Sequence, residues 1–396
     1  CAAPTPVVIE KVVTATPEPT PELEVTNVAF VLLWECADNG WTAAHCRGIQ
    51  EVRELGQVVA ETGNSFDVLV DGGRQVHVVW VERAEDGPDS GRIIRDFASN
   101  GYDLIFATTF GQMDYALEIA AEFPQVAIEH CSGYKTRENM SWYFARMYQG
   151  EHVLGYAAGL MGYHQVGAVA TNPIPEPIRG INAFTLGLQK GLREGGHGDW
   201  AEADDLVTVV WLNSWRDAEG EVLVAQQFAD DGYDLVRQMA DTPDSSKAAC
   251  SAGIAAVGYG MNAADFGATC ALGSSTWLWG SYYKAQVLSV LDGTWEGGQT
   301  YWGGLGNVPQ PMIGLEGWNV PPDILAKAKG LAAEIAERER QAVAAGKDVA
   351  SSDGIFIGPI YNQVGDLVVA EGEALSDEYL LAEIRWFVFG VKGKIQ

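Results

Sequence analysis

The sequence predicts an α/β protein built from two doubly wound parallel sheets in tandem, and three features predict it. Val28–Leu33 is a continuous apolar run, the pattern of a strand buried on both faces of a parallel sheet. From Val25 onward, strand-like and helix-like segments alternate, as βαβ units do. The alternation then repeats with a local echo. Gly101-Tyr102-Asp103-Leu104 and Gly232-Tyr233-Asp234-Leu235 each lead into a strand.

In the first series a helix is expected over Thr42–Glu61, followed by a strand at Val76–Val81 and a helix near Ser90–Asn100. Strand Asp103–Ala107, helix Met113–Glu122 and strand Gln125–Glu129 complete it. The second series begins after Tyr148 with a helix to Met161. Strand Val166–Ala170, helix Glu176–Arg193, strand Leu206–Leu212, helix Ala218–Asp230 and strand Asp234–Gln238 follow. A helix near Ser245–Ala252 and strands Ile254–Gly258 and Cys270–Thr276 close it. Further on come a helix at Trp279–Leu291, an aromatic, Gly-rich turn at Tyr301–Gly304 and a charged helix at Asp323–Ala345. The tail reads as a hairpin around Asn362–Asp366 and a short helix. No stretch is long and apolar enough to span a bilayer; the longest, Val153–Met161, is short and rich in Gly and Ala.

Acidic residues outnumber basic ones 53 to 25, a formal charge of −28. A surface this negative repels phosphate backbones, and no Lys/Arg cluster makes a local exception, so nucleic acid is not an expected partner. Pro4-Thr5-Pro6 and Thr14–Glu22 are too rich in Pro, Thr and Glu to bury a core, so an extended tether is expected over 1–24. A Cys1 leading into such a spacer resembles a mature bacterial lipoprotein, with the lipid on Cys1. Of the other cysteines, Cys36–Cys46 and Cys250–Cys270 are candidate disulfides, with free buried thiols the alternative, and Cys131 makes the number odd.

Signatures of catalysis are missing. There is no GxSxG elbow, no P-loop, no HExxH motif and no GxGxxG opening the first helix, and the six histidines are scattered. No enzyme activity, cofactor or metal is expected. Aromatic residues, by contrast, gather at strand ends: Trp34 and Trp41 around the first strand, Phe110 after a later one, Trp215 in the second series, and Trp277 where the chain turns back. In open α/β sheets the carboxyl ends of the strands face the ligand crevice, so rings from two facing lobes could sandwich a flat molecule. Asp38 precedes the first helix among these rings, and Asp241 and Asn262 could exchange hydrogen bonds with the ligand's edge.

Several motifs in one order carry a likeness. They are Gly40-Trp41-Thr42 with His45, Thr108-Thr109-Phe110-Gly111, Gly133-Tyr134-Lys135-Thr136, Tyr143–Tyr148, Pro173-Ile174-Pro175-Glu176, Arg179–Phe184, Asn213-Ser214-Trp215 and Leu291–Trp295. Over roughly Val25–Leu315 the chain resembles the basic membrane protein (Bmp/Med) family of lipoproteins, and the tail resembles a long-tailed branch of it. The resemblance implies a type I periplasmic-binding fold, two Rossmann-like lobes with parallel sheets joined by three crossings, near Met147, Thr276 and Tyr301. It also implies an extracytoplasmic, membrane-anchored solute-binding protein of an ABC importer, with a membrane permease as partner and a purine as ligand. The ligand-binding candidates are Trp34, Asp38, Trp41, Phe110, Trp215, Asp241, Asn262 and Trp277. Nucleoside-binding relatives carry an Asp and a Lys for the ribose where this chain has Gly260 and an aromatic residue or Thr near Thr276-Trp277. That departure favours a bare nucleobase such as adenine over a nucleoside.

The expected organisation is a tether over 1–24, lobe one over 25–147 plus 277–300, lobe two over 148–276 plus 301–353, and an extension over 354–396, as a monomer. The rival enzyme reading, a nucleoside hydrolase, needs a carboxylate-bound metal or a phosphate cradle that the sequence does not display. A sensing or structural surface lipoprotein without a transporter is the third reading.

Overall fold

The computed structural model describes residues 23–70, 73–307 and 311–395, so Cys1 and nearly all of the expected tether lie outside the described residues. The chain enters a first sheet through β1 (Val25–Val31), whose residues from Val28 to Val31 are fully buried. Helix α1 (Trp41–Glu51) follows, then a hairpin, β2 (Gln57–Thr62) and β3 (Ser65–Leu69), and β4 (Gln75–Val81). The expected helix over Thr42–Glu61 therefore ends early. A 3-10 turn at Val52–Leu55 and Gly56 break it, and the β-branched Val58-Val59 pair as an edge strand, with Gly63-Asn64 at the turn. Next come α2 (Pro88–Ser99), β5 (Leu104–Ala107), α3 (Met113–Glu122), β6 (Ala127–Cys131) and β7 (Met140–Ala145).

Helix α4 (Met147–Leu160) carries the chain into the second sheet. That sheet is built from β8 (Val166–Ala170), α5 (Pro175–Glu194), the short α6 (Gly198–Ala201), β9 (Val207–Trp211), α7 (Ala218–Asp230), β10 (Leu235–Gln238), α8 (Asp244–Ala252), β11 (Ala255–Gly260) and β12 (Ala271–Trp277). Helix α9 (Trp279–Leu291) returns to the first lobe, where β13 (Thr300–Gly303) pairs parallel to β7. β14 (Ile313–Glu316) then pairs antiparallel to β12. Tyr301–Gly304 is thus mostly a strand, and the third crossing falls between β13 and β14 instead of near Tyr301. The reading that put residues from 301 onward in lobe two is corrected to that extent: the backbone of Trp142–Ala145 offers a free ladder edge that β13 completes.

The first sheet runs β13-β7-β6-β5-β1-β4-β3-β2 and the second β14-β12-β11-β10-β8-β9. In each, a central strand has its successors on opposite sides, so a switch point opens at the carboxyl ends of β1 and β5, and of β8 and β10. The final segment is part of the second lobe. After α10 (Pro322–Ala344) comes the hairpin of β15 (Ile360–Tyr361) and β16 (Leu367–Val369). Leu380, Ile384, Phe387 and Val388 then enter the second core, and β17 (Val391–Lys392) extends the second sheet beside β9.

Helices α4 and α5 pack backbone to backbone. A Cβ on Gly187 would lie 2.0 Å from the His152 carbonyl oxygen, and one on Gly159 would lie 2.2 Å from that of Leu188. This explains the Gly/Ala-rich apolar run that the sequence shows there. No described helix is long and apolar enough to cross a membrane.

Candidate functional site

The carboxyl ends of both sheets face each other, and the lobes touch there. On the first lobe Asp38 is buried and caps α1. Its Oδ1 accepts from the Gly40 and Ala43 N–H groups at 2.9 and 2.8 Å, and its Oδ2 accepts from that of Thr42 at 2.8 Å. Its carboxylate is thus occupied in shaping the loop. The cap turns Trp41 inward, where its indole N–H donates to the Thr108 carbonyl oxygen at 3.1 Å, joining the two strand ends at the switch point. The Cys36–Cys46 disulfide closes the same loop, and Cys250–Cys270 ties the far side of lobe two; of the two alternatives left open by the sequence, both pairs are bonded. Cys131 is the free, buried thiol among the described residues.

The rings form a continuous cluster. Trp41 meets Trp277 edge-on at 5.4 Å, Trp277 stacks on Trp279 at 4.9 Å, and Tyr259 and Phe144 meet Trp277 at 5.7 and 5.4 Å. Tyr259 comes from the second lobe, so the cluster spans the crossing. His45 stacks on Trp279 at 5.2 Å, and burial pushes its pKa down to about 3, so it is neutral in ordinary conditions.

On the second lobe Asp241 follows β10. Its N–H donates to the Trp215 carbonyl oxygen at 3.0 Å, which sets those two predicted residues side by side. Gly40 of lobe one lies against the Asp241 backbone: a Cβ on Gly40 would come within 1.3 Å of the Asp241 carbonyl oxygen. The Asp241 carboxyl, partly accessible but deep between the lobes, has no hydrogen-bond partner among the described residues. Burial first, then the Glu176, Asp38 and Glu221 carboxylates, hold its pKa well above the usual aspartate range, against a pull from Arg216. Arg216 itself reaches across to lobe one, 3.5 Å from a Glu35 carboxylate oxygen and 5.5 Å above the Trp34 ring.

Trp34, Trp41, Trp215 and Asp241 are therefore gathered at the interlobe contact, with Trp277 behind Trp41. Phe110 sits apart on the rim of lobe one, 54% exposed and 6.3 Å from Tyr134. Asn262 caps a 3-10 turn, its Oδ1 accepting from the Ala264 N–H at 3.3 Å. Sequence reasoning gave no role to Glu176, Tyr259 and Arg179, whose side chains line this region. Glu176, at the start of α5, accepts from the Tyr259 hydroxyl at 2.7 Å, and burial raises its pKa against the pull of Arg179. Arg179 lies over the Phe144 and Trp302 rings. The Pro-Ile-Pro-Glu motif was the available signal, since a Glu behind two prolines must open the next helix. Cavities of about 620 and 320 Å³ lie elsewhere, one lined by Asp103, Val126 and Trp295, the other by His152, Leu331 and Asp353.

Two α/β lobes joined by three crossings, with the carboxyl ends of their sheets facing each other, define a type I periplasmic-binding fold. A solute-binding protein of an ABC transporter system from Conexibacter woesei aligns at a TM-score of 0.59, with 19% identity, over 81% of this chain and 97% of its own. The chain belongs to the Bmp family, described as ABC transporter substrate-binding protein PnrA-like, whose profile matches residues 25–315. A purine-binding protein of Brucella abortus is 31% identical over 374 residues, 94% of each chain. A putative ABC transporter glucose-binding protein of Haloferax volcanii is 31% identical over 94% of this chain and 82% of its own. Membership makes this an extracytoplasmic substrate-binding protein with a small-molecule ligand and a membrane permease as partner.

Proposed function

We propose that the chain captures a purine nucleobase, adenine-like, between its lobes, changes nothing in it chemically, and delivers it to an ABC permease while a lipid on Cys1 holds it at the membrane as a monomer. The observation that carries this reading is the unpartnered Asp241 carboxyl beside Trp215 and opposite Gly40-Trp41. A planar heterocycle can lie between such rings while its N–H groups meet the carboxyl. The relative from Brucella abortus, named as purine-binding, supports the same class of ligand. The rim aromatic Phe110 and the Trp34 ring under Arg216 would close over the ligand's outer side, and the second edge would be left to Asn262.

Stacked rings beside carboxyl groups also suit a sugar, and the relative from Haloferax volcanii carries that name. Calorimetric titration with adenine, guanine, adenosine, guanosine and glucose separates these readings. Adenine is expected to bind most tightly, and Trp41→Ala or Trp215→Ala is expected to weaken it by about 1–3 kcal/mol, roughly 5- to 150-fold. Binding of glucose with no purine would sink the proposal. Tighter binding of the nucleosides would replace the base by the nucleoside while leaving the class intact.

A further inference from the structure

We infer that Asp241 meets its ligand as a neutral carboxylic acid, its O–H donating and its other oxygen accepting, and so selects a purine edge that sets an N–H beside a bare ring nitrogen. The inference rests on the purine reading of the cleft and names what decides among purines.

The carboxylates that bear on Asp241, which follows β10, come from three other elements: Glu176 from the start of α5, Asp38 from the loop before α1, and Glu221 from α7. All three have donors of their own. Asp38 is held by three backbone N–H groups, Glu176 by the Tyr259 hydroxyl, and Glu221 by the Thr242 hydroxyl at 2.6 Å and the Ser245 N–H at 3.3 Å. Asp241 has none among the described residues. The cations nearby are Arg216, whose guanidinium lies over Trp34 and beside Glu35, and Arg179, beside Glu176. Asp244, at the start of α8, adds further negative charge beside Glu221. Asp241 is the one of these carboxyls that no donor among the described residues meets, so its negative charge is the least supported. Burial and these neighbours raise its pKa in the same direction.

The protonation state changes what the group can read. An ionised carboxylate offers two acceptors, which match the adjacent N–H donors of guanine. A neutral acid offers a donor beside an acceptor, which matches the amino group of adenine next to its bare ring nitrogen. Against adenine, an ionised carboxylate sets an oxygen against a ring lone pair. Adenine affinity therefore holds while Asp241 is protonated and falls as pH rises through its pKa, approaching tenfold per pH unit as the competent fraction shrinks. Guanine affinity does not fall over the same range.

The test combines calorimetry with infrared difference spectroscopy on the whole protein. Titrations with adenine and guanine between pH 5.5 and 9 give the ratio of affinities, and the spectrum of the adenine complex at neutral pH reports protonated carboxyl groups. A protonated-carboxyl carbonyl band is expected in the difference between the wild-type and Asp241→Asn complexes, from which the bands of Glu129 and Glu221, common to both, cancel. That variant fixes a donor beside an acceptor, so it is expected to lose less than about tenfold in adenine affinity and all of its pH dependence. Asp241→Ala is expected to lose more than about thirtyfold, since the ligand's polar edge is then buried unpaired. Absence of the band from that difference, or Asp241→Asn weakening adenine as severely as Asp241→Ala, overturns the inference while leaving purine binding standing. A wild type that binds no purine at any pH removes both the inference and the reading beneath it.

Discussion

Glu129 shows how a single buried group shapes this protein's response to pH. It lies on β6, inside the first lobe. The Tyr282 hydroxyl donates to one oxygen at 2.7 Å and the Trp295 indole N–H to the other at 2.8 Å. Burial outweighs both donors and lifts its pKa from 4.5 to about 7. Because the folded value lies above the unfolded one, the stability it contributes is complete below pH 4.5 and is lost as pH rises through 7. At full ionisation the loss is roughly 3 kcal/mol. Glu221, lifted to about 7 by burial against its own donors, acts in the same direction. The melting temperature is expected to fall between pH 5 and pH 8, and Glu129→Gln is expected to flatten part of that slope in calorimetric scans. An unchanged slope would assign the pH response to other groups.

At the scale of elements, the loop from Trp34 to Cys46 joins structure to function. Asp38 caps α1, the Cys36–Cys46 bond closes ten residues of chain, and Gly40 is the point at which lobe one meets the Asp241 backbone. Gly40 has φ −144° and ψ −114°, a combination outside the regions open to residues with a side chain, so glycine is required by the backbone as well as by the contact with the other lobe. Gly40→Ala is therefore expected to lower stability in chemical denaturation by roughly 1–3 kcal/mol. Closure would suffer: adenine affinity is expected to fall at least about tenfold, and small-angle scattering is expected to show less compaction on adding ligand. A variant that binds and compacts like the wild type would mean that the lobes do not meet through this contact when ligand is held. Some of this loop was legible in the sequence. Asp38 and Trp41 at the start of the first helix are both legible there, and the structure adds which amides the Asp38 carboxylate meets.

At the scale of the whole molecule, the C-terminal extension is bound to the crossings. Arg146, which ends the first crossing strand and is 3% exposed, donates from Nε to the Trp302 carbonyl oxygen at 2.8 Å and from Nη2 to Asp377 at 2.7 Å. Its guanidinium lies 4.1 Å over the Trp302 ring, and Arg179 donates to the Leu380 carbonyl oxygen at 3.3 Å. Removing one partner of a buried pair leaves the other charge unsupported, so Asp377→Ala is expected to cost about 3 kcal/mol in urea denaturation. Hydrogen exchange is expected to quicken at the ends of β7 and β13 in the same variant. Loss of stability without that local change would show that Asp377 supports lobe two and not the crossings.

The sequence by itself determined the two α/β lobes, because strands buried on both faces must be continuously apolar and helices between them must return on a 3.6-residue period. It also determined the family, through motifs spread over most of the chain. Tertiary structure decided the rest. The edge hairpin at Gln57–Leu69 and the strand at Thr300–Gly303 exist because a neighbouring strand offers a free ladder edge, which local pattern cannot register. It separated Asp241, left without a donor, from Asp38 and Asn262, whose carboxylate and amide oxygens serve helix and turn N-termini. It also set Phe110 on the rim and Trp41 inside. All five stand near strand ends in the sequence. Asp38 and Asn262 spend their oxygens on amides of their own segments, whereas the groups around Asp241 are distant in sequence and are brought together only when the lobes pack.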